Sequence, residues 1–525
     1  MKLFASGNEA VAMAAFDCGV NLGCGYPGTP SSEILDEFSA CGGKAEWAPN
    51  EKCALEVGIG VAFAGGRTLV TMKHVGLNVA ADPLFSIAYA GTPGGLVIIS
   101  ADDPGLASSQ NEQDNRNYAI SAGLPMFEPS DSQECYDYLC AAFELADKFR
   151  SPVLFRMTTR VCHSKCIFER RKQNNPDALR VGSFTKDPRS NVMVPAFARI
   201  AHRRVYDDLK AMAEINEKGD YTVEHKRSAT FGIITSGISY QHVMDADDSA
   251  SVLKLGMTWP LPLETIRRFA ERFERCLVVE EGDPVLYNAI SAAGIKVEKK
   301  LDEFIFNELN VKRVRKLIDR DDSPEAPAKP GKPPQLCPGC PHRKTFEVLR
   351  DNGCIVSGDI GCYTLGVMPP FNAIDTCICM GASVTVGLGL RHMLPEAEAR
   401  KVVSVIGDST FLHTGINGIV EMVYNRPKTG HVVLILDNSI TAMTGCQENP
   451  ATGYTLDHQP AFAVSLENIV KGIGVDNVDT IDTTAEPERF AELLKTRLNS
   501  NDCSVIIAKR PCILALAKRK KMESR

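Results

Sequence analysis

The chain has 525 residues, 44% hydrophobic and 23% charged, with a formal net charge of −7 and a pI near 5.9. That length sets a prior of about three domains at ~150 residues each, and the mildly acidic balance excludes the basic footprint of a nucleic-acid binder. No apolar run reaches the ~18 residues that span a bilayer, and Glu9 falls where a secretory signal would need its apolar core. A cytoplasmic protein without a membrane partner is therefore expected. Its 18 cysteines read as reduced thiols, a subset of them metal-binding, rather than as a disulfide framework.

Residues 1–165 alternate strand-like and helical patterns, with apolar β-prone runs at Thr68–Met72, Leu96–Ser100 and Val153–Met157, and predict one parallel α/β domain. Residues 166–228 are charged and irregular. Their basic clusters, Arg170-Arg171-Lys172 and His202-Arg203-Arg204, read as a solvated surface connection. A second α/β segment follows at 229–318, with strands expected at Thr230–Thr235, Ser251–Leu255 and Cys276–Glu280. Five prolines in the fourteen residues Asp321–Pro334 make 319–334 an extended linker. The last domain spans 335–515, and the basic tail 516–525, with Lys518-Arg519-Lys520-Lys521, reads as a solvated terminus.

Several stretches carry candidate chemistry. In the first domain, Gly23 to Glu33 forms a tight turn into a helix, with Pro30 suited to the first turn and Ser31 or Ser32 to the cap. That role explains the glycines and prolines but is silent about Thr29. Glu51 opens a helix of small residues, where the helix dipole alone favours a carboxylate by about 0.5 kcal/mol. Lys73 and His74 follow a strand and emerge at its carboxyl end, where ligands of open parallel sheets bind. The polar loop Ser108–Arg116 takes an equivalent place. Arg116 has a fork suited to a carboxylate, although surface exposure is its default.

In the last domain, the run Val402–Ile406 stops at Gly407-Asp408 and the run Val432–Leu436 stops at Asp437-Asn438. This βαβ pattern puts a carboxylate and an amide at neighbouring strand ends, a setting that suits Mg²⁺ with phosphate oxygens. Cys337-Pro338-Gly339-Cys340 opens the domain, Gly361-Cys362 ends a short turn, and Cys512 follows a late strand, Val505–Ala508. By itself the Cys-x-x-Cys, with His342 nearby, reads as a zinc site or a redox pair. Cys377, Cys379 and Cys446 are competitors.

The Gly407-Asp408-Ser409 to Asp437-Asn438 spacing resembles the diphosphate-binding motif of thiamine-diphosphate enzymes. Ser409 stands where many have Gly, and Asp437 where many have Asn. Adding Tyr26-Pro27-Gly28-Thr29-Pro30, Asn50-Glu51-Lys52, Met72 to Asn78, Gln110 to Arg116, Cys337 to Arg343 and Gly358 to Tyr363, the chain from about residue 5 to 513 resembles one family. That family is the thiamine-diphosphate (alpha) subunit of indolepyruvate ferredoxin oxidoreductase, in the 2-oxoacid:ferredoxin oxidoreductase superfamily.

The resemblance implies three parallel-sheet α/β domains: pyrimidine-binding, transketolase C-terminal-like and diphosphate-binding. It assigns Glu51 to the aminopyrimidine ring, whose protonation state generates the reactive cofactor; the family's glutamate precedes its Ala-Gly by thirteen residues, as Glu51 precedes Ala64. Thr29 would contact the substrate, with His74 and Arg116 in the same site. Gly407, Asp408, Ser409, Asn438 and Gly381 would bind thiamine diphosphate, and Asp408, Asn438 and the carbonyl of Ile440 would hold Mg²⁺. Cys337, Cys340, Cys362 and Cys512 would hold one [4Fe-4S] cluster. The implied reaction is oxidative decarboxylation of an arylpyruvate to its acyl-CoA, with coenzyme A as co-substrate and ferredoxin or a similar carrier as acceptor. The implied partners are a smaller gamma-type (beta) subunit and a second copy of the chain across the thiamine site. Relatives commonly continue into a ferredoxin-like domain with two cysteine-rich runs, which this sequence lacks, so electrons are expected to leave through another polypeptide or to another acceptor. Two alternatives remain: a non-oxidative thiamine-dependent 2-oxoacid decarboxylase, and a non-catalytic scaffold, which intact Glu51, Asp408 and Asn438 argue against.

Overall fold

The computed structural model describes residues 1–171, 179–325 and 334–523. It divides into two compact units, Met1–Ala326 and Pro327–Arg525. Half of the expected linker, residues 326–333, lies outside the described residues, as does Lys172. Among the described residues no helix is long and apolar enough to cross a membrane.

The first unit carries strands β1 (Lys2–Ser6), β2 (Leu22–Gly25), β3 (Ala45–Trp47), β4 (Thr68–Lys73), β5 (Leu96–Asp102), β6 (Met126–Phe127), β7 (Val153–Thr158) and β8 (Lys165–Glu169), then β9 (Thr222–His225), β10 (Phe231–Ser236), β11 (Ser251–Leu255), β12 (Met257–Trp259) and β13 (Arg275–Val279). Seven form a sheet in the order β12-β6-β7-β5-β4-β2-β3, all parallel except the antiparallel edge strand β12. The central strands β4, β5 and β7 are buried along their whole length. That is why they read as continuous apolar runs in the sequence, whereas the short β2, β3 and β6 left no pattern. A second sheet, β13-β10-β11-β9, is parallel apart from β9, and its three parallel strands fall where the sequence predicts them to within a residue. β1 and β8 pair separately, antiparallel.

The expectation of an irregular, solvated segment at 166–228 is corrected. β8 and β9 lie within it, and a 24-residue helix runs from Pro195 to Lys218. The helix buries Ala201, Val205, Met212 and Asn216 on one stripe, a helical period sparse enough to be masked by the surrounding charges. Its basic clusters are partly engaged: His202 stacks on Tyr89 with ring centroids 5.1 Å apart, Arg204 donates to the Tyr89 carbonyl, and Arg170 forks onto the buried Asp17. The side-chain amide of Asn216 donates to the carbonyls of Met257 and Pro260, each at 2.9 Å. This amide secures the helix to β12 of the neighbouring segment.

The second unit is a five-stranded parallel sheet, β14 (Ile355–Ser357), β15 (Val402–Gly407), β16 (His431–Asp437), β17 (Asn477–Ile481) and β18 (Cys503–Lys509), in the order β14-β15-β16-β18-β17. Buried aliphatic side chains on both faces form two core clusters. The basic tail keeps Lys518 and Lys520 exposed but is not irregular. It belongs to a helix, Ile513–Glu523, whose Lys518 donates to the carbonyls of Gly445 and Cys446 at 3.3 and 3.1 Å. Arg519 lies 3.3 Å from a Glu448 oxygen and over the Tyr454 ring.

Substituting Asn216→Ala strands two buried carbonyls, each costing roughly 1–3 kcal/mol when left unpaired. Chemical denaturation is expected to show a loss of about 2 kcal/mol or more.

Candidate functional site

In the first unit the candidate residues gather at the carboxyl ends of β2 and β4. The chain turns through Tyr26–Pro30 after β2 and enters the helix Ser32–Ala40. Ser31 holds the N-cap position, but its hydroxyl donates back to the Gly28 carbonyl at 3.0 Å and makes no side-chain cap bond. Half-buried Thr29 lies in this turn. The turn rests on β4, for a Cβ built on Gly28 would stand 2.9 Å from the Lys73 Cβ; only a residue without a side chain allows that approach. Beyond Lys73, the short helix His74–Val79 begins. Its Gly76 faces Glu51 so closely that an added Cβ would lie 2.6 Å from the Glu51 Oε1. Glu51 is 5% exposed and opens the helix Glu51–Phe63, capped by Asn50, which accepts from the Cys53 N–H at 2.8 Å. His74 is fully buried, with Nε2 3.2 Å from both oxygens of Asn111. Lys73 Nζ donates to the Ser108 carbonyl at 2.6 Å. Lys73 and His74 are thus tied to the loop Ser108–Asn111, with Gly28 of the Thr29 turn against Lys73 and Gly76 against Glu51.

Arg116 is a correction to the sequence reading. It is neither exposed nor free for a substrate, being 1% exposed with its donors engaged. Nε and Nη2 fork onto Asp114, Nη1 meets Glu280 at 2.7 Å, and Nη2 also reaches the carbonyls of Glu281 and Asp283 at 2.8 Å. Arg156 lies in the same network, paired with Asp102 at 2.7 Å and Glu128 at 2.5 Å. Burial would raise the Asp114 carboxyl, but the two guanidiniums outweigh it and hold that group well below the carboxylate range. Glu281, buried with little compensation, is pushed up to about 7.

In the second unit, Asp408 follows β15 and Asn438 follows β16, on strands paired through Gly407 and Leu436. Asp408 is 2% exposed; burial, reinforced by the neighbouring Asp437 carboxylate, pushes it up to about 7. Asp437 in turn lies 3.4 Å from the Lys509 ammonium, and its Oδ1 accepts from the Ser439 N–H at 3.0 Å. Asn449 approaches Asp408 at 3.4 Å, and Asn438 Oδ1 accepts from the Ile440 N–H at 3.2 Å. Ser409, the departure from glycine, accepts from the Thr441 hydroxyl at 2.8 Å. Gly381 has φ +86°, and an added Cβ would stand 2.2 Å from the Thr414 Oγ1, so backbone and space both demand glycine. Its N–H donates to Asp359 Oδ1 at 2.9 Å, and the Ser383 N–H donates to Oδ2 at 3.0 Å. Asp359, buried at the start of the helix Ala382–Met393, was not singled out in the sequence; the only signal was its place in Gly358-Asp359-Ile360-Gly361-Cys362.

Cys337, Cys340 and Cys512 all lie close enough to Cys362 to act on its thiol. Burial pushes Cys362 up to about 11, with Cys340, Cys512 and Cys337 adding to the shift. Cys340 rises to about 11 through burial, opposed by the His342 N–H and reinforced by Cys337 and Cys512. A fifth thiol, Cys446, hydrogen-bonds Cys512 and holds it below its ordinary value. The Cys512 N–H donates to the Asn438 carbonyl at 2.9 Å, linking the thiols to the Asp408 strand ends. Among the described residues no three His, Cys, Asp or Glu side chains converge on one metal ion. His342, the extra ligand that a zinc reading would use, instead meets the Asn438 amide at 3.3 Å.

Substituting Arg116→Met leaves Asp114 and Glu280 buried without their cation, which typically costs 3–5 kcal/mol. Thermal and urea unfolding are expected to show a loss of that order.

Two family models match. Residues 13–228 match "Pyruvate flavodoxin/ferredoxin oxidoreductase, thiamine diP-bdg", and residues 359–508 match "Thiamine pyrophosphate enzyme, C-terminal TPP binding domain". The chain is 39% identical to an indolepyruvate oxidoreductase subunit IorA of Archaeoglobus fulgidus, over 100% of this chain and 88% of that one. It is 37% identical to the IorA of Pyrococcus abyssi, over 97% and 85%. Among solved structures, the 2-oxoglutarate:ferredoxin oxidoreductase of Magnetococcus marinus aligns with a TM-score of 0.51 at 16% identity, over 61% of this chain and 65% of that one, a likeness of fold. The chain belongs to the IorA family, the thiamine-diphosphate-dependent alpha subunits of the 2-oxoacid:ferredoxin oxidoreductases.

Proposed function

We propose that the protein oxidatively decarboxylates an indolepyruvate-like arylpyruvate in the presence of coenzyme A and passes the electrons through one [4Fe-4S] cluster to ferredoxin or a similar carrier. The balance is one 2-oxoacid anion and one CoA thiol giving acyl-CoA, CO₂, one proton and two electrons. The redox reading is supported by the turn Cys337–Cys340, closed by the Cys340 N–H on the Cys337 carbonyl at 3.1 Å, and by the closeness of Cys337, Cys340 and Cys512 to Cys362, four thiols being what such a cluster requires. A cubane is a body of several atoms, so its ligands stand farther apart than those of a single ion. The arylpyruvate is supported by the relatives 36–39% identical to this chain, which are named indolepyruvate oxidoreductase subunits.

Thiamine diphosphate supplies the electron sink that decarboxylation needs. Glu51 would orient its pyrimidine ring, and Gly381, Gly407, Ser409 and Asn438 would line its diphosphate. Asp408, Asn438 and the Ile440 carbonyl would hold Mg²⁺, a role favoured by the buried carboxylate pair Asp408 and Asp437. Thr29 and His74 would face the 2-oxoacid. A smaller gamma-type subunit, a second copy of this chain and an electron carrier are the partners this reading requires.

Anaerobic purification with iron, sulfide and thiamine analysis tests the reading. About four irons per chain, and a charge-transfer absorbance bleached only when indolepyruvate and CoA are both added, are expected. Thiamine without iron would favour non-oxidative decarboxylation instead. Asp408 yields an independent check. Its folded value near 7 exceeds the ordinary 3.8, so the folded chain binds the extra proton. Its contribution to stability is complete below about 3.8 and is lost as pH rises through 7. The cation-free protein is expected to melt at progressively lower temperature over that window, and Mg²⁺ with thiamine diphosphate to reverse the loss at pH 7.

A further inference from the structure

A 2-oxoacid is an anion, and Arg116, whose fork suits a carboxylate, has its donors engaged elsewhere. The fold delivers another cation to the strand end where Thr29 and His74 meet. Lys73 is 9% exposed, and its ammonium has three N–H donors. Ser108 takes two of them, through its carbonyl at 2.6 Å and its hydroxyl at 3.3 Å.

Asp103 is close enough to act on Lys73 electrostatically, yet no carboxylate among the described residues comes within ion-pair distance of Nζ. The Asp103 oxygens are taken instead by the Ser108 N–H at 2.8 Å, the Ser109 hydroxyl at 2.5 Å and the Thr159 hydroxyl at 2.9 Å. Burial lowers the Lys73 ammonium to about 8, against the pull of Asp103, which leaves it cationic at neutral pH. One N–H and an unpaired positive charge are therefore available beside the turn that carries Thr29, whose Gly28 lies against the lysine's own Cβ.

We propose that Lys73 holds the carboxylate of the 2-oxoacid substrate through its remaining N–H, and so determines affinity for the anion. This rests on the 2-oxoacid reading above. A buried cation without a partner is costly, and a substrate carboxylate supplies the missing counter-charge. Because a lysine is a compact point charge rather than a fork, orientation would come from a second donor, for which the Thr29 hydroxyl on the adjoining turn is suited.

The test compares the complex of this chain with its smaller subunit, purified anaerobically as wild type, Lys73→Gln and Lys73→Met, each loaded with thiamine diphosphate and Mg²⁺ and assayed with ferredoxin as electron acceptor. Glutamine keeps an N–H for the Ser108 carbonyl and removes only the charge. At neutral pH, KM for indolepyruvate is expected to rise at least tenfold in both variants, with kcat within about threefold and KM for CoA unchanged. Calorimetric titration with indolepyruvate should show the same loss of affinity. Unchanged KM and unchanged binding in a folded variant would overturn the proposal and leave Lys73 as a tether for the Ser108 loop. A wild-type protein that binds the 2-oxoacid without turning it over would sink the reaction assignment, while the binding difference would still decide the role of Lys73. Should one variant fail to fold, the other carries the comparison.

Discussion

The buried guanidinium network is the constraint on which the first unit depends. Removing two arginines from water costs several kcal/mol per ion, and that cost is offset only where every donor meets an oxygen. Arg116 meets Asp114 and Glu280 through Nε, Nη1 and Nη2, and Arg156 meets Asp102 and Glu128 through Nε and Nη1, with its Nη2 3.6 Å from Asp114. The same bonds fix the loop Ser108–Asn115. Its Asn115 amide holds the His74 carbonyl at 2.9 Å and the Ser100 hydroxyl at 2.7 Å. The position of His74 is thereby a consequence of ion pairs farther along the chain, and so is the tether on Lys73.

The second unit solves the opposite electrostatic problem. Here burial places acid beside acid, Asp408 with Asp437, and raises Asp408 toward neutrality. The network around Arg116 closes within the folded chain, whereas Asp408 stays raised even with the Lys509 ammonium beside Asp437. The two situations separate structural charge from functional charge. Closure within the folded chain marks Arg116 as architecture. Asp408 and Lys73 are the charges for which ligands are proposed.

Membership of a thiamine-diphosphate family accounts for both units in the same terms. The parallel sheets present their loops at the carboxyl ends, where small residues let the backbone approach: Gly28 on Lys73, Gly76 on Glu51 and Gly381 on Thr414. At each of these positions a single added carbon would collide with the neighbouring side chain. The glycines therefore serve the site by what they leave room for, rather than by contacts of their own.

The sequence by itself determined the fold class, the long central strands and the motifs that carry chemistry. Each of these is written locally: a fully buried strand must be apolar throughout, a carboxylate after an apolar run must lie at a strand end, and spaced cysteines announce themselves. The short edge strands and the helix Pro195–Lys218 were hidden, because a few buried positions do not outweigh a charged surface pattern. Only the tertiary structure decided which charges are spent. Arg116 looks like a free fork in the sequence because Glu280, its partner across 164 positions, is invisible until the chain folds. His342 looks like a metal ligand until Asn438 takes it, and Asp359 gains meaning only where it caps the Gly381 turn. Burial and pairing are properties of three-dimensional neighbours, and no local pattern records them.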